Sequence, residues 1–124
     1  MKFQTSRIAS AAIADMASEK VDSVLLAVAD ALTARATELL EANAADCTAM
    51  DNADPRYDRL RLTPERIADI AEGIRSVAAL PSPLGVTLDS IKRPNGLLIR
   101  KVSVPFGVIG AIFEARPNVI FDIF

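Results

Sequence analysis

The stretch that decides the fold is PFGVIGAIFEARPNVIFDIF, Pro105–Phe124. Val108 to Phe113 is apolar at every position apart from Gly110, with no alternation between faces. A run buried on both faces is the pattern of a central strand in a parallel sheet. The polar group Glu114-Ala115-Arg116-Pro117-Asn118 follows at once, where the C-terminal end of that strand would lie. Open α/β sheets bind their ligands at such ends. Arg116 offers a planar fork for a carboxylate or phosphate, and Asn118 an amide donor for a developing oxyanion. A plainer assignment also fits: Arg116 pairs with Glu114, Asn118 caps the next helix, and the loop is polar because it is on the surface. Gly107 and Gly110 are expected to admit close backbone packing. They do not make the G-x-G-x-x-G dinucleotide fingerprint, which follows a strand and opens a helix.

Upstream, residues 1–85 read as helical. Ile8, Ala11, Ala12 and Met16 suggest a first short helix. Val21, Val24, Leu25, Val28, Leu32, Leu39 and Leu40 recur at spacings of three and four, which predicts one long amphipathic helix. Asp51 to Pro55 breaks it, since a residue before proline avoids helical dihedrals. The next helix has a full start signal. Thr63 serves as N-cap, Pro64 fits the first position, Glu65 faces the positive end of the dipole, and Leu62 with Ile67 forms a staple. Ile67, Ile70, Ala71, Ile74 and Val77 supply its buried stripe, and Pro81 and Pro83 end it.

Between the helices and the C-terminal strand, residues 86–104 read as a β-hairpin. Pro94-Asn95-Gly96 is the turn, flanked by Leu88–Arg93 and Leu97–Val104. Two strands alone are marginal in water, so the hairpin needs a partner surface.

Composition narrows the function classes. The chain has 124 residues, room for one ordinary domain, with 51% hydrophobic and 24% charged residues and a net charge of −2. That balance gives no case for a nucleic-acid or anionic-membrane partner. The N-terminal segment is interrupted by Asp15 and is not a secretory signal, and Val102–Phe113 is too short to span a bilayer. A cytoplasmic protein is expected. There is no histidine, so no Ser-His-Asp or Cys-His mechanism can be built from this chain. The single cysteine, Cys47, excludes an internal disulfide or a cysteine-cluster metal site. With no basic neighbour in sequence and Asp46 beside it, Cys47 reads as a small core filler. Asp46, Asp51 and Asp54 lack the ligand density of a calcium loop and read as solvated. No metal site and no catalytic residue are therefore expected within the chain.

The motifs Tyr57-Asp58-Arg59-Leu60, Leu62-Thr63-Pro64-Glu65-Arg66-Ile67, Arg93-Pro94-Asn95-Gly96-Leu97, Val104-Pro105-Phe106-Gly107-Val108-Ile109-Gly110 and Glu114-Ala115-Arg116-Pro117-Asn118-Val119 occur in order. Together they resemble the gamma-glutamyl phosphate reductases (glutamate-5-semialdehyde dehydrogenases) of the aldehyde dehydrogenase superfamily. The resemblance covers about residues 5–119.

It implies an α/β fold of which this chain is the N-terminal portion. Residues 1–85 would be the helical part of the nucleotide-binding domain, 86–104 an oligomerisation-type hairpin, and 105–124 the start of the nucleotide-binding sheet. It implies reduction of L-glutamyl 5-phosphate with NADPH to L-glutamate 5-semialdehyde in proline biosynthesis. In that chemistry a cysteine thiolate displaces phosphate, and the thioester is reduced and collapses to the aldehyde. The family is several times longer, and Cys47 does not match its nucleophile. Ile120 to Phe124 departs from the family pattern, as a truncated or frameshifted frame, or a partial sequence, would. The chain alone is thus expected to be inactive. Glu114, Arg116, Pro117 and Asn118 are the residues expected at the parent's substrate or cofactor pocket. Two further readings remain: a non-catalytic module that binds a separate chain or an intact homologue, and another branch of the superfamily, against which the Glu-Ala-Arg-Pro-Asn loop argues.

Overall fold

A computed structural model describes residues 2–114 and 116–124. The elements run α1 (Lys2–Ala14), α2 (Ser18–Ala34), α3 (Ala36–Thr48), α4 (Tyr57–Leu60), α5 (Pro64–Ala78), β1 (Thr87–Lys92), β2 (Leu98–Val102) and α6 (Val119–Ile123). They gather into two compact units. One combines the segment to Ser18 with Pro81–Gly110; the other combines Glu19–Leu80 with Ala111–Phe124.

The second unit holds the core. Ala29 and Leu32 from α2 and Ile67, Ala71 and Ile74 from α5 are buried together. Leu25, Val28, Leu39, Leu40, Ile70 and Phe121 pack around them, partly buried. The three- and four-residue spacing of these side chains puts them on one stripe per helix. Val77, expected to extend the α5 stripe, is 55% exposed. It lies in the last turn of α5 (Pro64–Ala78), beyond the buried stretch.

The helix expected to run from Val21 past Leu40 is two helices. The backbone at Arg35 (φ −103°, ψ 19°) leaves helical geometry between α2 and α3. The hydrogen-bond ladder nevertheless bridges the joint: Arg35 N–H donates to Ala31 C=O at 3.0 Å and Leu39 N–H to Arg35 C=O at 3.1 Å. The apolar spacing therefore persists across a break that no proline or glycine announces.

The start of α5 forms as its sequence dictates. Thr63 is extended (φ −129°, ψ 162°), and its hydroxyl accepts the Arg66 N–H at 3.2 Å. The Glu65 carboxyl is held below its ordinary range, first by its own backbone N–H and then by the Thr63 hydroxyl. These are donors that a helix N-terminus otherwise leaves open. Arg66 then locks the approach to the helix: its guanidinium donates to the backbone carbonyls of Asp58 (2.5 Å) and Arg61 (2.6 Å) and meets the Asp58 carboxylate at 3.0 Å.

In the first unit β1 and β2 pair antiparallel, with Asp89 opposite Lys101, Ser90 opposite Arg100, Ile91 opposite Ile99 and Lys92 opposite Leu98. Thr87 pairs with Val102, so Leu88 is the extra residue of a bulge. The turn closes through Gly96 N–H to Arg93 C=O (2.9 Å) and Arg93 N–H to Leu97 C=O (2.8 Å), with Gly96 at φ +86°. This is the three-residue hairpin loop that places a glycine in the left-handed region. Ser103 ties the base of the hairpin, its hydroxyl donating to Pro83 C=O and accepting from Val86 N–H. Every residue of both strands is exposed.

The strand expected over Val108–Phe113 is not formed: 103–114 has no regular secondary structure. A parallel strand is defined by the neighbours it bonds to, and β1 and β2 are the strands present among the described residues. Phe106 is 95% exposed, and Val104, Ile109 and Ile112 are also open to solvent. The close packing expected at Gly107 and Gly110 is absent too, since a Cβ at either would meet nothing within 4 Å. Gly107 has a different reason to be glycine, its φ of +87°.

Candidate functional site

The loop singled out in sequence, Glu114 to Asn118, belongs to the unit that holds the core, with Ala115 outside the described residues. Asn118 (φ −60°, ψ −33°) stands at the N-cap of α6. Its backbone carbonyl accepts the N–H groups of Phe121 (2.9 Å) and Asp122 (3.0 Å), while its side chain makes no capping bond. The Arg116 carbonyl accepts the Val119 N–H at 3.1 Å, and the Arg116 side chain is exposed. Pro117 is half-buried.

Glu114 reaches a residue that sequence spacing could not supply. Its Oε1 lies 3.6 Å from a guanidinium nitrogen of Arg56. Arg56 is already engaged by Asp54, with contacts of 2.7–3.3 Å from two of its nitrogens. The hydrogen-bonded Arg56 side chain, aided by the Arg56 backbone N–H, holds the Asp54 carboxyl down at about 2. In turn Asp54 and, more weakly, Glu114 raise the Arg56 guanidinium. Both partners of the Arg56–Glu114 contact are well exposed, so it orients the loop weakly.

Of the four residues expected at a pocket, Asn118 lines a cleft beside α6. This cleft, of about 680 Å³, is mainly apolar, with Leu25, Ile70, Val77, Phe121 and Phe124 among its walls. Glu114, Arg116 and Pro117 do not line it. The second cleft, of about 630 Å³, is lined by Asn43, Cys47, Tyr57 and Arg61 among others. Here Asn43 is the residue that sequence reading missed. It is 7% exposed, its amide nitrogen donates to Leu60 C=O at 2.9 Å, and its oxygen accepts Leu62 N–H at 2.7 Å. Cys47, also 7% exposed, directs its sulfur at the same oxygen from 3.7 Å. That geometry describes a packed thiol, as the sequence suggested, rather than an accessible nucleophile.

The described residues form no glycine-rich phosphate cradle. Gly107 and Gly110 sit in open, irregular backbone with no helix N-terminus behind them, and the well-formed start of α5 is occupied by Thr63 and Glu65. Among the described residues no group of three or more histidine, cysteine or carboxylate side chains is placed to hold a metal ion. No described helix is long and apolar enough to cross a membrane.

The class is mixed helix and strand: packed helices, a two-stranded antiparallel hairpin and an apolar segment running into a polar loop. No protein-family model matches the chain. Curated relatives do. It is 54% identical over 117 residues to the gamma-glutamyl phosphate reductase of Azobacteroides pseudotrichonymphae, covering 94% of this chain and 28% of that protein. With the gamma-glutamyl phosphate reductase of Phocaeicola vulgatus it shares 52% identity over 122 residues, 98% of this chain and 29% of that one. Solved structures agree. The gamma-glutamyl phosphate reductases of Thermotoga maritima and Saccharomyces cerevisiae superpose with TM-scores of 0.88 and 0.91, each at 31% identity over 97% of this chain. The chain is therefore homologous to the gamma-glutamyl phosphate reductases over nearly all its length, as its motifs suggested. It spans about three tenths of the relatives it matches.

Proposed function

We propose that the chain is a portion of an NADP-dependent gamma-glutamyl phosphate reductase, which converts L-glutamyl 5-phosphate to L-glutamate 5-semialdehyde and phosphate in proline biosynthesis in the cytoplasm. The observation that carries this reading is the half-identity to reductases of that name, maintained across 98% of the chain. In the parent enzyme NADPH supplies the hydride, and this chain holds only part of the site for it. The contribution from this chain is the Glu114–Asn118 loop at the substrate or cofactor pocket. Arg116 is exposed and bears a fork suited to a carboxylate or phosphate. Replacing the matching arginine by alanine in an intact relative raises KM or lowers kcat; unchanged kinetics would remove Arg116 from the site.

The 124 residues alone do not turn over. The one thiol is buried against Asn43, and the chain has no histidine to activate it. Purified chain, assayed for phosphate-dependent, semialdehyde-driven NADP reduction, gives no rate above background. Measurable turnover would overturn the inactivity.

A second reading has its own support. The exposed hairpin and the apolar 104–113 segment suit a non-catalytic module that associates with a separate chain or an intact homologue, with the hairpin as the oligomerising arm. Size exclusion of the chain mixed with a full-length relative gives a co-eluting complex if this is so, and a monodisperse monomer if it is not.

A further inference from the structure

We draw no further inference here: the strongest candidate, the apolar cleft beside α6 walled by Leu25, Ile70, Val77, Phe121 and Phe124 with Asn118 at its edge, carries nothing because no observation in the structure shows what covers it.

Discussion

Asn43 and Asp54 are the residues whose chemistry is most fully determined. Asn43 uses both ends of its amide to hold the backbone at Leu60 and Leu62, just before the α5 cap. Truncation to alanine removes the partner of the half-buried Leu60 carbonyl and Leu62 N–H. Each lost hydrogen bond costs about 1 kcal/mol, so Asn43→Ala lowers the urea midpoint of helix unfolding clearly, whereas Ser23→Ala, on the exposed side of α2, leaves it nearly unchanged. Asp54 provides a pH test. Its carboxyl is lowered from 3.8 to about 2, chiefly by the Arg56 side chain. A folded-state value below the unfolded one means that the unfolded chain takes up the proton first. The contribution to stability is thus complete above pH ~4 and is lost as pH falls through about 2. The Asp54 carboxyl resonance titrates near 2 in the native chain and returns towards 3.8 in Arg56→Gln. A normal midpoint in the native chain would show that the pair does not form in solution. The role of Asn43 was not legible in sequence, since it acts on residues 17 and 19 positions away, nor was the contact of Arg56 with Glu114; spacing rules reach only three or four. The Asp54–Arg56 pair is local, two residues apart.

Among the elements, legibility follows how local the cause is. The start of α5 was readable because its cap, its proline and its buried stripe lie within a dozen residues. Removing the hydroxyl with Thr63→Ala costs about 1 kcal/mol; Thr63→Ser retains most of it, and thermal unfolding followed by far-ultraviolet circular dichroism distinguishes them. The hairpin turn was readable for the same reason. Gly96 is left-handed with open space around it, so Gly96→Ala tests backbone conformation without a clash. A non-glycine residue there loses about 1 kcal/mol, which is large for a two-stranded unit. The expected outcome is weakened cross-strand contacts between Ile91 and Ile99 by nuclear magnetic resonance, with the helical signal unchanged. By contrast, the joint at Arg35 and the four-residue α4 carry no breaker or periodicity strong enough to read. The composition of 108–113 suits a strand, but strand hydrogen bonds depend on neighbours that composition does not contain.

For the molecule as a whole, a small core stands beside a large set of exposed apolar side chains. Among the described residues the buried apolar cluster is two residues of α2 and three of α5. Against it stand Val104, Phe106, Ile109 and Ile112, along with Leu88, Leu97, Leu98 and Ile99 of the hairpin arm, all largely open. Exposed apolar side chains favour association where they cluster, and a segment outside any sheet is a template for strand pairing. Core and exposed segment should therefore respond to different substitutions. Leu32→Ala removes a buried side chain and costs about 2–5 kcal/mol, lowering the helical unfolding midpoint without first changing the association state. Replacing Phe106, Ile109 and Ile112 together by serine removes apolar surface that the helical core does not use. This triple variant is expected to stay monomeric at concentrations where the native chain elutes as larger species, and to unfold at the same midpoint once protein concentration is matched. If the triple variant instead lost helical stability, 104–113 would be packed against the folded chain in solution. If it associated as the native chain does, the hairpin arm would be the surface responsible, and serine at Leu98 and Ile99 would then be the substitution that abolishes association.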